Sequence, residues 1–584
     1  MLSMSESPRA TRRVPVETAA DALVEALHAH GVQFIFINLG TDHAALVETF
    51  AKFRAREKPM PALVVCPHEA VAIGAAHGFA QVTGRPQAVI VHVDAGTANL
   101  GGGMHNAARS RVPMFILAGR APFTDRGELP GTRDSYVQFI QDVFDQPGIV
   151  RQYVKWEHEL HRATNIGQVV RRAFRLAAAD PPGPVYLTAP REILAEPLAF
   201  VDLPDPASSP PPVPTIPEEG ALSTMARWLC AAERPLMITS YAGRRADAVA
   251  GLIALADQLA LPVIEMHPRA YMNFPTDHPL YLGIGDSPRL ADADLVLVID
   301  CDVPWVPSIA HPPETARIIH LDMDPLKVDL PLWLFGAHLS ARVDAAATLH
   351  RLRAAVQREW TAAVEARVDA RRPAVEREGR ELRKHWEASA TLSGRGEPMA
   401  PGWLTGQLGA ILPRDAIVVS ELVTNASLTA RHLPRSIPGS FFAAGGTSLG
   451  WGLSAAVGVK LARPDAEVVC LVGDGSFLFG APSAALWVGR RYHAPFVTVV
   501  YNNRGWAAPK EATMHQHPGG FAVRHREFFS SFGDGVDLAT VATAAGGHGE
   551  RVLSAGDLAA AVARAREAVR QGRPAVVDVL VTPV

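Results

Sequence analysis

Two short polar segments near the end of the chain combine oxygen ligands with glycines. The first, Gly473-Asp474-Gly475-Ser476, follows an apolar run, and the second, Asn502-Asn503, follows another. Carboxylate and amide oxygens are ligands that Mg²⁺ prefers, and glycines let backbone N–H groups at a helix N-terminus approach a phosphate. The 29 positions between Asp474 and Asn503 leave room for the crossover that brings two parallel strands together. The pattern predicts a Mg²⁺–diphosphate clamp, with a purely structural turn at residues 473–476 as the alternative.

Three stretches of alternating strands and helices can position these residues: 14–195, 218–350 and 401–584, with a proline-rich linker at 206–217. Strands interleaved with helices favour parallel sheets covered by helices. We therefore predict an α/β fold of three domains, each a parallel sheet flanked by helices. The predicted strands are residues 33–38, 62–66, 88–93, 114–118 and 184–188, then 236–240, 262–265, 295–299 and 316–321, and finally 416–420, 469–472, 495–501 and 575–581.

Residues 351–400 are rich in charge and have a helical pattern. A charge run of this kind is usually a solvated helical face, so we interpret it as a helical connector without chemistry. Pro373 lies inside the pattern and is predicted to interrupt the helix.

Composition excludes several classes of function. The 56 Lys and Arg residues are balanced by 59 Asp and Glu residues, for a net charge of −3, which argues against nucleic acid or an anionic membrane as the main partner. No apolar run reaches the roughly 18–20 residues of a membrane-spanning helix, and no secretory signal is visible near the N-terminus. The four cysteines are widely spaced. We expect reduced core thiols in a cytoplasmic protein and no zinc site.

The second domain offers a possible nucleotide site. Its strand at residues 316–321 runs into His320-Leu321-Asp322-Met323-Asp324-Pro325, and acidic residues at a strand end can hold a ribose. A loop without a ligand is the alternative. No complete G-x-G-x-x-G follows its strands, so the sequence does not distinguish FAD, ADP or no nucleotide at all.

Several motifs together resemble one enzyme family. Residues 473–476 with Asn502-Asn503 resemble the cofactor signature of thiamine diphosphate enzymes of the acetolactate synthase-like superfamily. Pro67-His68-Glu69, followed by the small-residue stretch 70–84, is similar to that family's catalytic-glutamate segment. Residues 449–456 resemble the segment that supports the cofactor's pyrimidine end. The resemblance covers nearly everything from residue 14 onward, and it implies that 14–195 is a pyrimidine-binding (PYR) domain, 218–350 a central domain and 401–584 a diphosphate-binding (PP) domain.

The resemblance also implies roles for individual residues. Mg²⁺ would be held by the side chains of Asp474 and Asn503 and by the Gly505 carbonyl, and the Thr447 carbonyl would accept a hydrogen bond from the cofactor's 4′-amino group. The cofactor-binding set implied as a whole is Thr424, Thr447, Leu449, Gly473, Gly475 and Ser476, with Leu449 as the apolar wedge that bends the cofactor.

Glu69 would share a proton with the pyrimidine N1′ and so favour the imino form that removes the thiazolium C2 proton. The family further implies a homo-oligomer, at least a dimer, in which Glu69 comes from a partner subunit. Without the other motifs, Glu69 would be interpreted as a surface glutamate at a helix start.

Within the superfamily, the segments Cys66-Pro67-His68-Glu69 and 502–511 look most like bacterial 2-hydroxyacyl-CoA lyases, which release formyl-CoA and an aldehyde or ketone. The expected substrate is thus an acyl-CoA or, in the alternative, a 2-oxo acid for acetolactate synthase-type condensation or decarboxylation. Two features depart from the family: the Asp474–Asn503 spacing is about two residues longer, and Pro67 replaces an arginine common in acetolactate synthases. A non-enzymatic homologue is disfavoured because both Glu69 and Asp474 are present.

Other polar residues are candidates for acid–base chemistry. Glu511 follows Asn503 by eight residues and could act on the substrate, or it could satisfy Lys510 or a helix start. Histidines can transfer protons near neutral pH, but no spacing singles one out and a structural role is the alternative for each. The candidates are His68, His92, His105, His515 and His517.

Overall fold

A computed structural model describes residues 11–285, 287–392, 398–533 and 535–582. It contains three six-stranded parallel sheets, each flanked by helices. The predicted α/β fold class is therefore confirmed.

The first sheet belongs to the N-terminal domain and has the order β3-β2-β4-β5-β7-β6. A short strand, β1, precedes it and pairs antiparallel with β8. The strands are β1 (Arg12–Pro15), β2 (Phe34–Asn38), β3 (Ala62–Val65), β4 (Gln87–Val91), β5 (Met114–Arg120), β6 (Trp156–Glu159), β7 (Pro184–Pro190) and β8 (Phe200–Leu203). The helices are α1 (Ala19–Ala29), α2 (Ala44–Ala55), α3 (Glu69–Thr83), α4 (Asp94–Asn99), α5 (Gly101–Arg109), α6 (Val137–Ile140), α7 (Ile166–Ala178) and α8 (Arg191–Ala195).

The second sheet has the order β11-β10-β9-β12-β13-β14, so its direction of growth reverses beside β9. Ligands in open α/β sheets bind at such a reversal, outside the carboxyl ends of the strands. The strands are β9 (Pro235–Thr239), β10 (Val263–Glu265), β11 (Tyr281–Ile284), β12 (Leu295–Ile299), β13 (Arg317–Asp322) and β14 (Leu339–Arg342). The helices are α9 (Glu219–Ala231), α10 (Ala246–Leu259), α11 (Arg289–Asp292) and α12 (Ala345–Arg358).

The connector is one long helix, α13 (Ala362–Leu392), which runs through Pro373. The predicted interruption at this proline is therefore wrong. Pro373 is exposed, so water can satisfy the carbonyl that loses its backbone N–H partner. The helix is also held to the second domain, where Arg371 donates to the carbonyls of Ala232 and Leu259. None of the helices in the described ranges has both the length and the apolar character of a membrane span.

The third sheet has the order β16-β15-β17-β18-β20-β19. Its strands are β15 (Ile417–Glu421), β16 (Phe441–Ala443), β17 (Val468–Gly473), β18 (Val497–Asn502), β19 (His548–Val552) and β20 (Ala575–Leu580). The helices are α14 (Pro401–Ile411), α15 (Ala426–His432), α16 (Gly452–Ala462), α17 (Asp474–Phe479), α18 (Pro482–Arg491), α19 (Ala507–Gln516), α20 (Phe521–His525), α21 (Thr540–Ala544) and α22 (Leu558–Arg570). The adjacent β17 and β18 bring the two opening motifs to one sheet edge, as predicted.

Helices α3 and α16 join the first and third domains at very short range. A Cβ on Gly78 would overlap the Ala455 carbonyl, and a Cβ on Gly458 would overlap the Ala75 carbonyl. Backbone therefore packs directly on backbone, which only glycine permits at these positions. This contact explains why both helices are built from small residues.

Candidate active site

The three residues proposed for Mg²⁺ converge at the ends of β17 and β18. Asp474 is the first residue of α17, and its Oδ2 accepts a hydrogen bond from the Gly505 N–H (2.9 Å). The same N–H lies 3.3 Å from Asn503 Oδ1. Both side-chain oxygens are thus gathered around Gly505. The third predicted ligand, the Gly505 carbonyl, belongs to the same residue.

The chemistry of this cluster fits a magnesium ion. Burial raises the pKa of Asp474 to about 6, because an ionised carboxylate is costly away from water unless a cation balances it. Hydrogen bonds from the N–H groups of Gly475 and Gly505 lower the pKa and so counteract part of this shift. Within the described ranges, no group of three or more His, Cys, Asp or Glu side chains could hold a metal. A site here would therefore depend on one carboxylate, one amide and one backbone carbonyl, with water and phosphate oxygens completing it.

The glycines beside Asp474 differ in their surroundings. No atom lies within 4 Å of the position of a Cβ on Gly473, so the backbone at the start of α17 faces open space that a phosphate could enter. A Cβ on Gly475 would instead overlap the indole of Trp506, whose ring packs edge-on against Phe532 at 4.9 Å. Gly475 is required by this close approach as well as by its predicted role.

The loop proposed to support the cofactor's pyrimidine end is anchored to α5 of the first domain. Asn106 forms two hydrogen bonds with the backbone of Ser448, and the Thr447 N–H donates to His105 Nε2 (3.1 Å). Thr447 is exposed and Leu449 half-buried, so both remain accessible to a ligand. His105 has a structural role here, because it holds the loop.

A buried carboxylate that the sequence analysis did not select lies behind this loop. Glu421, the last residue of β15, accepts hydrogen bonds from the N–H groups of Gly450 and Gly452, both at 2.6 Å. Burial raises its pKa to about 7, and the Ser476 hydroxyl also hydrogen-bonds to it. The only sequence signal was an acidic residue at the end of a predicted strand.

Glu69 is buried, with 8% of its surface exposed. It is the first residue of α3, which His68 caps by accepting the Ala70 N–H (3.1 Å). Asn99 Nδ2 donates to Glu69 Oε2 (3.1 Å). The interpretation of Glu69 as a surface residue at a helix start is therefore wrong, while its catalytic role stays a prediction.

A histidine–aspartate pair lies beside Glu69. His92 Nδ1 donates a short hydrogen bond to Asp42 Oδ1, and His92 Nε2 lies 3.0 Å from Gln141 Oε1. Both ring nitrogens face acceptors, which favours the doubly protonated imidazolium. Accordingly, the hydrogen bond that His92 donates to Asp42 raises the pKa of His92 despite partial burial. A Cβ on Gly96 would contact both His92 and Glu69 Oε1, so the pair and the glutamate both lie next to Gly96.

Asp42 was missed because its partner lies 50 residues away. Its local signal resembles that of Asp474: a carboxylate shortly after a strand and a glycine, here β2 and Gly40. The remaining candidates are less informative. Thr424 and Glu511 are half-buried and make no side-chain hydrogen bond or ion pair to the described part of the chain, and His515 and His517 are exposed.

The candidate residues form two clusters. Glu69, His92 and Asp42 belong to the first domain, whereas Asp474, Asn503 and Gly505 belong to the third. Across residues 11–582, leaving aside the gaps in the description, no hydrogen bond or ion pair joins the two clusters within one chain.

The reversal point of the second sheet is filled by the protein's own side chains. Asp322 accepts hydrogen bonds from the Tyr241 hydroxyl (2.6 Å), Lys327 Nζ (2.7 Å) and the backbone N–H groups of Cys301 and Asp324. With both oxygens engaged, Asp322 does not fit the predicted role of a ribose ligand. A cavity lined by Arg111, Lys327 and Asp324, among others, has a volume of about 270 Å³.

Three parts of the chain match models of known protein domains. Residues 17–149 match the model of the thiamine pyrophosphate enzyme N-terminal TPP binding domain, residues 222–352 that of the central domain, and residues 423–579 that of the C-terminal TPP binding domain. Together the three matches span most of the chain, in the order of its three sheets.

Individual proteins similar to this chain have different activities. Benzoylformate decarboxylase of Pseudomonas aeruginosa is 27% identical over 84% of this chain and 87% of its own length. Acetolactate synthase isozyme 3 large subunit of Escherichia coli is 27% identical over 89% and 88%. The crystal structure of benzoylformate decarboxylase from Polynucleobacter necessarius superimposes with a TM-score of 0.76 over 97% of this chain and 99% of that one, at 21% identity. This last likeness concerns the fold alone.

Proposed function

The chain belongs to the thiamine pyrophosphate-dependent enzymes of the acetolactate synthase and benzoylformate decarboxylase superfamily, and on that premise we propose that it decarboxylates a 2-oxo acid and releases an aldehyde. The observation that carries the proposal is the Asp42–His92 pair beside Glu69. After loss of CO₂, a decarboxylase must protonate the carbon that carried the carboxylate. A carboligase must instead keep that carbon unprotonated until a second carbonyl compound arrives.

The chain's residues divide the chemistry between them. Bound thiamine diphosphate would supply an electron sink for the carbon next to the carbonyl. Asp474, Asn503 and Gly505 would hold Mg²⁺, and Gly473 and Ser476 would face the diphosphate. Glu69 would hold a proton at the pyrimidine.

Asp42 orients His92 and stabilises its imidazolium, as a buried carboxylate does for a catalytic histidine. The Nε2 proton, which lies 3.0 Å from its acceptor Gln141 Oε1, is the one that would be transferred to the substrate carbon when the substrate displaces that contact.

A large cavity next to the metal residues supports a bulky substrate. It has a volume of about 1020 Å³ and is lined by Asn503, Gly505, Trp506, Phe528 and Phe529, among others. Aromatic walls favour an aryl or long apolar side chain. Lys510 and Arg526 also line the cavity, and their charge suits a carboxylate substrate.

We further propose that two copies of the chain complete each site, since the two clusters of candidate residues are not joined within one chain. The first domain exposes Tyr136, Phe139, Ile140 and Phe144, each by more than half of its surface. An apolar patch of this kind on a protein surface marks an interaction site.

Two measurements test the cofactor and the substrate. Thiamine diphosphate with Mg²⁺ is expected to raise the melting temperature; no change contradicts the cofactor assignment. The protein is then incubated with benzoylformate, with pyruvate and with a 2-hydroxyacyl-CoA.

CO₂ and the matching aldehyde from a 2-oxo acid support the decarboxylase, while acetolactate from pyruvate favours the carboligase. The 2-hydroxyacyl-CoA lyase predicted from the sequence is not among the activities named for the relatives above. Release of formyl-CoA would establish it and refute the decarboxylase.

A complementation experiment tests the shared site. Glu69→Gln and Asp474→Ala are each expected to abolish turnover, and Glu69→Gln should retain cofactor binding. When the two are co-expressed with different tags, about half of a randomly mixed dimer population contains one copy of each, and one site in such a dimer is intact. Activity of about a quarter of wild type is therefore expected. If the mixture stays inactive although mixed dimers are isolated, each site lies within one chain.

A further inference from the structure

Glu421 connects three segments of the third domain that lie around the proposed cofactor site. It ends β15 and is buried, with 9% of its surface exposed. Its two carboxylate oxygens accept the N–H groups of Gly450 and Gly452, one oxygen to each. The hydroxyl of Ser476, in α17, hydrogen-bonds to the same carboxylate.

The geometry requires a carboxylate of this length. The two N–H groups belong to the start of α16 and point at the same side chain, and a helix N-terminus favours negative charge. An amide at this position would turn an NH₂ group toward one of the N–H donors and leave a buried donor without an acceptor. Burial raises the pKa of Glu421 to about 7, although the hydrogen bonds from the Gly452 and Gly450 N–H groups lower it.

The loop is held on one side by Asn106 and His105 of α5 and on the other by Glu421 and the turn after α17. Gly450 has a φ of +90°, and a Cβ there would lie 2.8 Å from Gly480 Cα, just past the end of α17. The loop thus packs on the turn that follows the phosphate-binding helix. Leu449, immediately before Gly450, takes its position from these contacts.

We propose that Glu421 is a positioning residue for thiamine diphosphate: by clamping Gly450 and Gly452 while contacting Ser476, it sets the distance between the loop under the cofactor's bend and the helix that receives its diphosphate. This inference rests on the proposed function, because it concerns the same cofactor. Glu421 itself does not touch the reacting atoms.

The test measures thiamine diphosphate binding by calorimetry at saturating Mg²⁺ in Glu421→Gln and Glu421→Asp. The dissociation constant of Glu421→Gln is expected to rise at least about tenfold, as for the loss of a charge-assisted hydrogen bond. Glu421→Asp keeps the charge but is one methylene shorter, so an intermediate value is expected. Rescue of this kind by the conservative variant would not follow from a general loss of stability.

The matched control is Glu265→Gln in the second domain. Glu265 is also buried, with 0% of its surface exposed, and accepts hydrogen bonds from Arg269 and the Tyr281 hydroxyl, so the same substitution tests the cost of replacing a buried glutamate elsewhere. Cofactor affinity should be unchanged in this control even where its melting temperature falls. If Glu421→Gln does not fold, the comparison of Glu421→Asp with wild type decides.

The outcomes separate the two proposals. A wild-type protein that binds no thiamine diphosphate contradicts the proposed function. If wild type binds and both Glu421 variants bind equally tightly, only the role of Glu421 is refuted.

Discussion

Replacing Asp42 by Asn tests whether His92 delivers the proton that ends the reaction. Asp42 is 1% exposed, and its two oxygens accept from His92 Nδ1 and from the Val93 N–H (3.2 Å). Asn keeps the shape of the side chain but removes its charge. The imidazolium of His92 then loses the partner that raises its pKa.

The expected fall in kcat follows from the one hydrogen bond that the substitution weakens, between His92 and Asp42. A hydrogen bond to a charged group contributes about 1.5–3 kcal/mol, and each 1.4 kcal/mol in an activation barrier changes the rate about tenfold. If the stabilisation of the imidazolium is fully expressed in the protonation step, kcat for aldehyde release falls by roughly 10- to 100-fold. The affinity for thiamine diphosphate is expected to stay the same, since neither Asp42 nor His92 is among the residues proposed to hold the cofactor.

The assay follows aldehyde and CO₂ separately. Slower protonation leaves the reactive carbon available for longer, so added aldehyde should divert a larger share of turnover to a carboligation product than in wild type. Asp344→Asn is the control, because Asp344 is equally buried but caps α12 of the second domain. Aldehyde release by Asp42→Asn at the wild-type rate would refute the role of the pair.

A second substitution perturbs the same pair from the opposite side. A Cβ on Gly119 would overlap Asp42 Oδ2, so Gly119→Ala must displace the carboxylate without changing any charge. We expect the same direction of change in product ratio as for Asp42→Asn. If Gly119→Ala lowers the melting temperature but leaves the product ratio unchanged, the effect of Asp42→Asn came from the loss of charge and not from a displaced carboxylate.

Two pH-dependent predictions concern other buried carboxylates. Because burial raises the pKa of Asp474 to about 6 and metal binding needs the ionised form, Mg²⁺ affinity should fall about tenfold from pH 7 to pH 5; a constant affinity in calorimetric titrations would exclude Asp474 as a ligand. Asp300 is buried and neither of its oxygens has a hydrogen-bond partner in the described part of the chain, with Arg244 Nε 4.0 Å from Oδ2; burial raises its pKa to about 7, although Arg244 lowers it. The folded protein therefore holds this proton more tightly than the unfolded chain, and stability is lost as pH rises from about 4 toward 7. Asp300→Asn should raise the free energy of unfolding above pH 7 by up to about 4 kcal/mol and leave it unchanged near pH 4, which denaturant midpoints at pH 4 and 8 will check.

In the three six-stranded sheets the sequence predicted every inner strand and one edge strand, β3, and missed the other five edge strands. Central parallel strands are buried on both faces and read as continuous apolar runs. The strands of these sheets that were not predicted are β6, β11, β14, β16 and β19, and each is the outermost strand on one side of its sheet. Two of them, Trp156–Glu159 and Leu339–Arg342, have half-polar sequences. A strand with one neighbour needs fewer apolar residues, so its composition carries less signal.

The residues of the candidate site also divide into those that the sequence predicts and those that it does not. Asp474 and Asn503 could be found because each directly follows a strand, and adjacent parallel strands bring their ends together. The sequence also predicts that Glu69 lies at a helix start, but its buried position involves a contact with Asn99, 30 residues further along the chain. Glu421 and Asp42 acquire their roles from atoms of distant segments. No local pattern distinguishes them from other acidic residues at strand ends.

The contact between α3 and α16 explains how the first and third domains keep their functional residues in register. Glu69 is the first residue of α3, and the loop with Leu449 leads directly into α16. Because Gly78 and Gly458 place each helix backbone against the other, the two helices cannot slide past each other without a steric clash. The position of Glu69 relative to the Leu449 loop of the same chain is therefore fixed by the fold. If two copies of the chain form each site together, one chain contributes Glu69 to one site and the Leu449 loop to the other. The rigid contact between α3 and α16 then also fixes how these two sites are placed relative to each other.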